Sequence, residues 1–386
     1  MRYFLLAGEA SGDNLGGLLV EQIRALDPQA EFACWGGPSL AAATGTTPLR
    51  NLDQLAFMGF VEVVANLRAI RRLERAAREH VAAFAPDSLI LIDYPGFNLR
   101  LGRWARGRGI WVDFYVSPQI WAWRPGRVHK VVRSFDRLLC VLPFEPSFYA
   151  RYGYDRGAGH EISYTGHPLP LRVDTHAVPP RLTVRTASGE RTLAEDESVL
   201  ALLPGSRRQE VRRMLPVMAA AVGRLRDRGL TYRAVIGAAP VLATADLEAL
   251  AAEHDLAWTR SSYDLLGHAH LACVASGTAT LEAALFDVPQ VVCYRGSTVS
   301  VAIARRLVRT EHIALVNVVL GRRAVTELVQ GDATASNLAD GLAALSEPAN
   351  RERQLAAYRE LREGLRPYEA TAAAAAAIVG RAGGTA

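Results

Sequence analysis

The sequence is poor in cysteine. Only four cysteines occur in 386 residues, and each lies in an apolar run far from the others: Cys34, Cys140, Cys273 and Cys293. No Cys-x-x-Cys pair or Cys/His cluster is present, which excludes a thiolate zinc site and a disulfide-rich secreted domain. We interpret the four cysteines as buried, reduced thiols of a cytosolic protein.

Long apolar runs are also missing. None reaches the ~18–20 residues that a membrane-spanning helix needs. The N-terminal residues MRYFLLAGEASGD become acidic and glycine-rich from Gly8, so we interpret them as a first strand and not as a signal peptide. The sequence has no HExxH, no GxxxxGK[ST], no DxD pair and no His/Asp cluster. We therefore expect no bound metal and no cofactor.

Positive charge is in slight excess, with 44 Lys and Arg against 39 Asp and Glu and a formal net charge of +5. The arginines concentrate in residues 68–78, 100–108, 124–133 and 305–309. Such clusters fit either solvated helix faces or a surface for anionic lipid or a phosphorylated substrate. No nucleic-acid-binding motif accompanies them, so we expect no nucleic-acid partner.

Strand-like runs alternate with helical patterns along the chain, which predicts α/β structure with parallel sheets. The predicted strands are Tyr3–Ala7, Glu31–Trp35, Ser88–Ile92, Ile110–Val116, Arg137–Leu142, Ile162–Thr165, Val199–Leu203, Tyr232–Ile236, Leu271–Ala275 and Gln290–Cys293. This plan and the length of the chain predict two doubly wound, Rossmann-like domains that face a central cleft.

The domain boundaries follow from composition. Residues 174–197 lack apolar periodicity and are rich in Pro, Thr and charge, so we predict a linker there. A first domain then occupies residues 1–173, and a second domain occupies residues 198–348. A helical segment at 349–386 could pack back on the first domain.

A glycine turn between a strand and a helix marks the second half. The apolar run Ser198–Pro204 leads into Gly205, Ser206 and Arg207, and an amphipathic helical pattern starts near Glu210. Such a turn leaves free backbone N–H groups at the positive end of a helix. Arg207 adds a cation that can bind phosphate through two hydrogen bonds. The turn predicts a diphosphate site.

A second turn of this kind follows Ala275. Ser276, Gly277 and Thr278 offer N–H and hydroxyl donors, and Glu282 could accept from ribose hydroxyls. Two such turns in one domain predict a nucleoside diphosphate. Further polar groups in an apolar setting, Asn317 and Glu327, are candidates for the rim of this site.

In the first half, Asp93 ends an apolar strand. A carboxylate at the tip of a central parallel strand is partly desolvated, which raises its pKa toward the range of a general base. Capping of the next helix is the alternative role for Asp93.

Other polar residues follow strands of the first half and could contact a sugar or an acyl chain. We group them as an acceptor loop: Gly8, Glu9, Ser11, Gly12, Asp13, Asn98, Trp121 and His167. Plain structural roles stay open for them, such as helix capping by Ser11 or Asp13 and core packing by Trp121.

Taken together, these motifs resemble those of the lipid-A-disaccharide synthase family. The resemblance covers nearly the whole chain and rests on AGEASGD (7–13), GGP (36–38), MGFVEV (58–63), IDYPGFN (92–98), YVSPQIWAW (115–123), PFE (143–145), TGHP (165–168), LLPGSR (202–207) and SGTATLE (276–282). It implies a GT-B glycosyltransferase that inverts the anomeric centre without a metal. The implied substrates are UDP-2,3-diacylglucosamine and 2,3-diacylglucosamine 1-phosphate, which give a β-1,6 disaccharide and UDP.

The resemblance also implies roles for residues. Asp93 would be the base for the acceptor 6-hydroxyl, and the acceptor loop would hold substrate. The positions implied for UDP-sugar binding are Gly205, Ser206, Arg207, Ser276, Gly277, Thr278, Glu282, Asn317 and Glu327. Gly96, Val316 and Thr326 depart from the family pattern, which weakens the assignment of Asn317 and Glu327. Another GT-B UDP-sugar enzyme, such as a UDP-N-acetylglucosamine 2-epimerase, and a non-catalytic UDP-sugar-binding protein are the alternatives.

A family whose substrates carry acyl chains must reach a bilayer. Met58 and Phe60 place apolar side chains near Arg71, Arg72 and Arg75, which share one helix face. We expect peripheral binding to the anionic inner face of the inner membrane. Self-association into a homodimer stays open.

Overall fold

The computed structural model describes residues 1–51, 67–123, 125–154, 160–238, 242–296 and 311–380. The chain forms two compact units. Unit 1 comprises Met1–Pro168 and Leu365–Ala386, and unit 2 comprises Leu169–Gly364. Each unit has its own sheet and core.

Unit 1 is built on a six-stranded parallel sheet. Its strands are β1 (Arg2–Ala7), β2 (Glu31–Trp35), β3 (Ser88–Ile92), β4 (Trp111–Tyr115), β5 (Arg137–Cys140) and β6 (Glu161–Tyr164), in the spatial order β2-β1-β3-β4-β5-β6. The central strands are apolar and buried along their length, as expected when helices cover both faces of a parallel sheet. The strand order reverses between β1 and β3.

Helices cover the sheet of unit 1. They are α1 (Ala10–Leu26), α2 (Pro38–Thr44), α3 (Leu67–Phe84), α4 (Pro95–Arg106), α5 (Ile120–Trp123), α6 (Val128–Val131), α7 (Glu145–Ala150) and, from the end of the chain, α16 (Ala370–Gly380). α16 packs on α1 and buries Ala374 and Ile378. The core between sheet and helices includes Phe4, Phe114 and Phe135.

Unit 2 contains a larger sheet. Its strands are β7 (Thr183–Thr186), β8 (Gly189–Thr192), β9 (Val199–Leu203), β10 (Arg233–Gly237), β11 (Ala257–Thr259), β12 (Ala269–Ala275), β13 (Gln290–Tyr294) and β14 (Thr326–Val329). The order is β14-β13-β12-β9-β10-β11-β7-β8, with β7 antiparallel to β8 and to β11 and the other pairs parallel. Here the order reverses between β9 and β12.

The helices of unit 2 are α8 (Leu169–Asp174), α9 (Arg208–Asp227), α10 (Thr244–Glu253), α11 (Ser262–His268), α12 (Ala279–Leu285), α13 (Leu315–Leu320), α14 (Ala335–Ala344) and α15 (Pro348–Gly364). α9 and α14 pack against each other over one face of the sheet, where Met214, Met218 and Leu342 are buried. Leu203, Leu265 and Val274 belong to the core on the other face.

The domain boundaries differ from the predicted ones. Residues 174–197, predicted as a linker, contain the hairpin β7–β8, which extends the sheet of unit 2. The chain passes from unit 1 to unit 2 at Pro168/Leu169 and returns at Gly364/Leu365, so the C-terminal segment is shared between the units. Composition missed the hairpin because its outer strand, Gly189–Thr192, is exposed along its length and carries no apolar face.

Most predicted strands are present within two residues at each end. Three strand regions were not predicted: the hairpin, the three-residue strand Ala257–Thr259, and Thr326–Val329. Residues 298–309, where the sequence pattern also predicts a helix, lie outside the described residues. The four cysteines are buried and free, as interpreted from the sequence. No helix in the described ranges is both long and apolar enough to cross a membrane.

Candidate active site

The register of the unit 1 sheet brings two predicted turns together. Ala7 at the end of β1 lies beside Ile92 at the end of β3. The next residues, Gly8 and Asp93, therefore begin neighbouring turns at the point where the strand order reverses. In open α/β sheets, this edge is where ligands bind.

Asp93 lies on an unusual backbone turn. Asp93 and Tyr94 both adopt left-handed conformations, with φ of 47° and 51°. Non-glycine residues rarely do so, and such strain persists only when neighbouring contacts maintain it. The N–H of Asp93 donates to the carbonyl of Tyr115 at 2.9 Å, and Asn98 Nδ2 donates to the carbonyl of Asp93 at 2.8 Å.

Asn98 therefore contacts the backbone of Asp93 and is itself buried. Nδ2 also lies 3.3 Å from the carbonyl oxygen of Ile92, while its Oδ1 has no hydrogen-bond partner in the described residues. The side chain predicted to face substrate instead supports the turn that presents Asp93.

Gly8 makes room for this turn. A Cβ built on Gly8 would lie 2.3 Å from the ring carbon Cγ of Tyr94, closer than non-bonded carbon atoms can approach. Any side chain at position 8 would displace Tyr94 and the residue before it. Gly8, the first glycine of the AGEASGD motif, thus has a packing role at the Asp93 turn.

The environment of Asp93 makes it a stronger base than an exposed carboxylate. Burial and, to a smaller extent, the negative charge of Glu9 raise its pKa to about 6, against a smaller opposite effect of the Tyr94 N–H. Desolvation disfavours the charged form, and so does a like charge nearby. A carboxylate with a pKa near 6 is ionised at neutral pH and accepts a proton more readily than one with a pKa near 4.

Other acceptor-loop residues have different environments. Asp13 is 2% exposed, and its carboxylate accepts from the N–H groups of Gly37, Ser39 and Leu40 at 2.6–3.2 Å. It therefore caps α2 from α1 and has little capacity left for a sugar. Ser11 is exposed, Glu9 is partly exposed and Gly12 is buried.

Trp121 is held by a buried carboxylate. Its Nε1 donates to Glu145 Oε1 at 3.2 Å, while Glu145 Oε2 accepts from the N–H of Leu142 at 3.0 Å. Burial raises the pKa of Glu145 to about 7. Sequence reasoning did not place Glu145 among the site residues, although the PFE motif was the available signal.

His167 is buried at the end of the TGHP segment. Burial lowers its pKa to about 4, so the ring is neutral at physiological pH. Its backbone N–H lies 3.4 Å from the carbonyl oxygen of Leu365. His167 belongs to unit 1, where the chain leaves that unit.

In unit 2, the two glycine turns are also adjacent. Leu203 near the end of β9 pairs with Val274 near the end of β12, so the Gly205 and Gly277 turns follow neighbouring strands. Both turns lie where the strand order reverses, as do Gly8 and Asp93 in unit 1.

The Gly205 turn differs from the prediction of free N–H groups. The N–H of Arg207 donates to Glu210 Oε2 at 3.3 Å, so a carboxylate of the same helix already occupies that donor. Gly205 has φ of 112°, and a Cβ there would lie 2.7 Å from Glu210 Oε2. This contact is one half of a capping box, in which the third helical residue accepts from the N–H of the residue that precedes the helix. The guanidinium of Arg207 is 69% exposed and is the principal cation this turn offers.

The Gly277 turn is more open. A Cβ built on Gly277 would meet no atom of the described residues within 4 Å, and Thr278 is exposed. The hydroxyl of Ser276 donates to the carbonyl of Ile313 at 2.7 Å. Glu282 lies one turn further along α12, and burial raises its pKa.

Asn317 and Glu327 belong to a hydrogen-bond network next to the Gly277 turn. Asn317 is fully buried and uses all four hydrogen-bonding positions within the chain, with Nδ2 to Val325 and Glu327 and Oδ1 from Ala324 and Val325. Glu327 Oε1 also accepts from the N–H groups of Ile313 and Ala314. Asn317 therefore orders the loop around Ser276's partner, Ile313, and has no donor left for a ligand.

Of the residues predicted to contact a membrane, Met58 and Phe60 lie outside the described residues. Arg71, Arg72 and Arg75 are exposed on α3. Within the described ranges, no group of three or more His, Cys, Asp or Glu side chains could hold a metal ion.

The fold and these two edges define the class of protein. Solved structures with a similar fold include a putative UDP-N-acetylglucosamine 2-epimerase from Listeria monocytogenes, with a TM-score of 0.64 at 14% identity over 100% of this chain and 97% of that one. The calicheamicin glycosyltransferase has a TM-score of 0.59 at 16% identity over 99% of both chains. The chain thus has the GT-B fold that glycosyltransferases and these epimerases share.

Sequence comparison identifies the family within that class. The lipid-A-disaccharide synthetase family matches residues 3–379. The lipid-A-disaccharide synthase of Geobacter sulfurreducens is 38% identical over 94% of this chain and 93% of its own length. That of Myxococcus xanthus is 38% identical over 98% and 97%. The chain belongs to the lipid-A-disaccharide synthase family and is a glycosyltransferase of lipid A synthesis, which confirms the resemblance and leaves the epimerase as a relative in fold alone.

Proposed function

We propose that this chain transfers 2,3-diacylglucosamine from its UDP derivative to the 6-hydroxyl of 2,3-diacylglucosamine 1-phosphate. The products are a β-1,6 disaccharide 1-phosphate and UDP. The observation that carries the proposal is the half-buried Asp93, which has a raised pKa and lies on a strained turn at the ligand-binding edge of unit 1.

Asp93 would act as general base. Its carboxylate takes the proton of the acceptor 6-hydroxyl while that oxygen bonds to the anomeric carbon of the donor. The bond between the anomeric carbon and the UDP oxygen breaks in the same displacement, so the anomeric centre inverts. Tyr94, Asn98 and Gly8 maintain the turn that presents the carboxylate.

Unit 2 would hold UDP. The Arg207 guanidinium offers charge-assisted hydrogen bonds to the diphosphate, whose charge grows as the bond breaks. The open turn at Gly277 and the hydroxyl of Thr278 provide further contacts, and Glu282 accepts from the ribose hydroxyls. With Arg207 present, we propose that the leaving group needs no metal ion.

The substrates of this reaction would be presented at a membrane. The exposed Arg71, Arg72 and Arg75 on α3 favour reversible attachment to the anionic inner face of the inner membrane. Self-association into a homodimer is compatible with this arrangement and is tested by light scattering in detergent.

The experiment is incubation of the purified protein with both diacylglucosamine substrates. Release of UDP with formation of a tetraacyl disaccharide phosphate supports the proposal, and a β linkage by NMR supports inversion. Undiminished turnover in EDTA supports metal independence. Conversion of UDP-N-acetylglucosamine to its 2-epimer, with no disaccharide formed, would contradict the proposed reaction.

A further inference from the structure

Glu282 has one oxygen fixed and one available. The hydroxyl of Tyr263 donates to Glu282 Oε1 at 3.2 Å. Within the described ranges, Oε2 takes part in no hydrogen bond. A carboxylate held in this way presents its second oxygen in a defined direction, which is what recognition of vicinal ribose hydroxyls requires.

Tyr263 is itself held by its surroundings. It is 9% exposed, the guanidinium of Arg172 lies 5.3 Å from its ring centroid, and the rings of His176 and Phe286 contact it edge-on at 5.3 and 5.2 Å. His176 is fixed in turn by Asp264, with Nε2 and Oδ1 2.7 Å apart.

These contacts leave the Tyr263 hydroxyl little freedom. The ring of Tyr263, on α11, contacts Arg172 on α8, His176 just after α8, and Phe286 just after α12. Burial raises the pKa of Tyr263, so its hydroxyl stays protonated and donates to the carboxylate. Burial raises the pKa of Glu282, and the same hydrogen bond and the Arg172 charge partly oppose that effect.

We propose that Tyr263 is a positioning residue for ribose recognition, which orients the Glu282 carboxylate toward the 2′- and 3′-hydroxyls of the bound nucleoside diphosphate. This inference rests on the proposed function, because it takes Glu282 as the ribose-binding group. Tyr263 touches no substrate and acts only through Glu282.

Calorimetric titration tests this with two probes, UDP and 2′,3′-dideoxyuridine 5′-diphosphate. Tyr263→Phe removes one hydroxyl and keeps the ring. We expect it to weaken UDP binding about tenfold, the size of one lost hydrogen bond to a charged group. Affinity for the dideoxy probe should stay within about twofold, because that probe has no hydroxyls for Glu282 to accept from.

Tyr232→Phe is the matched control. Tyr232 lies in the same unit, and its hydroxyl also has one side-chain partner, Ser346 at 3.1 Å. We expect this variant to bind both probes as the wild type does. In a double-mutant cycle, Tyr263→Phe should have no further effect on UDP binding in a Glu282→Ala background.

Equal losses of affinity for both probes, or additive effects in the cycle, would overturn the inference. The proposed function would survive either result, because the wild-type protein would still bind UDP. Failure of the wild type to bind UDP would contradict the proposed function itself. If Tyr263→Phe does not fold, Arg172→Gln decides the matter, since Arg172 is exposed. It should weaken UDP binding alone, by a smaller factor, and equal affinity to the wild type for UDP would overturn the inference.

Discussion

Asp93 combines three features that structural residues rarely share: a left-handed backbone, burial and a nearby like charge. Replacing Asp93 by Asn should lower turnover roughly 10²–10⁴-fold, the range for loss of a general base. UDP affinity should stay near that of the wild type, because the residues proposed to bind UDP belong to unit 2. Asn tolerates the left-handed region well, so the fold should be preserved. Near-normal turnover would reassign Asp93 to a structural role.

The same substitution should stabilise the protein. The pKa of Asp93 is raised from 3.8 to about 6 in the folded state, so ionisation of this group opposes folding above pH 4 and does so fully above pH 6. Asn carries no such cost. We expect the variant to be more stable by about 1–2 kcal/mol at pH 8. The gain should disappear below about pH 4, which denaturant titrations at both pH values can measure.

Burial and the charge of Glu9 should together set the acid limit of activity. Protonated Asp93 cannot accept a proton, so turnover should fall as pH falls through about 6. Glu9→Gln removes the negative charge that raises the pKa of Asp93. The midpoint of the acid limb of kcat should therefore move to lower pH. Glu21→Gln, an exposed change of equal charge on α1, the helix that follows Glu9, should leave the midpoint in place. An unchanged midpoint in Glu9→Gln would leave burial as the sole cause of the raised pKa.

Arg207 should contribute to binding of UDP and UDP-sugar alike. Arg207→Ala removes the proposed charge-assisted contact to the diphosphate and should cost about 1.5–3 kcal/mol of binding free energy for both ligands. Arg228→Ala, at the other end of the same helix, loses an exposed ion pair with Asp340 and should bind UDP normally. Titration calorimetry compares the three proteins. If Arg207→Ala and the wild type bind equally, the turn is only a helix start.

At the scale of secondary-structure elements, charge reversal on helix α3 tests the proposed membrane attachment. Reversing three exposed charges by Arg71→Glu, Arg72→Glu and Arg75→Glu should abolish flotation with anionic vesicles at low salt, because each cation near such a surface contributes ~1 kcal/mol. Wild-type flotation should itself decrease at high salt.

The matched control for this test lies on α9. Arg212, Arg213 and Arg224 are also exposed, so their reversal to Glu changes the net charge equally on another unit. That variant should float as the wild type does. Loss of flotation in both variants would show that net charge, and not α3, determines binding.

The elements also show what sequence could and could not predict. Strands such as Val199–Leu203 were predictable because burial on both faces demands a continuous apolar run. The hairpin β7–β8 was not, because its edge position leaves most side chains in water. The polar residues at strand ends were predictable too, because each directly follows a recognisable apolar run. Their roles were not, since the capping of α2 by Asp13 and the occupation of the Arg207 N–H by Glu210 depend on contacts across turns.

At the scale of the whole molecule, the strand order of each sheet determines which of the predicted turns are neighbours. This order could not be read from composition. Gly8 and Asp93 begin neighbouring turns because β1 pairs with β3. Gly205 and Ser276 likewise follow neighbouring strands because β9 pairs with β12. Both pairings join strands that are not consecutive in sequence. Two α/β units were predictable from the alternating pattern, whereas the double crossing between them required the structure.

Removal of residues 370–386 should affect one unit selectively. α16 covers α1 in unit 1 and buries Ala370, Ala374 and Ile378, so its loss exposes apolar surface there. We expect earlier unfolding and faster proteolysis within residues 1–168. Unit 2 should keep its UDP affinity. Loss of UDP binding in the truncated protein would mean that the two units do not unfold independently.

The position of α16 in the chain has a consequence for biosynthesis. Unit 1 begins at the N-terminus, yet its covering helix is translated only after all of unit 2, residues Leu169–Gly364. At ~5–20 residues per second, the ribosome needs tens of seconds to cross that interval. During this time, the nascent first unit exposes the apolar face of α1. We therefore expect unit 1 to complete its packing only after unit 2 has been made, and chaperones that shield apolar surface to act mainly on the half of the protein that is made first.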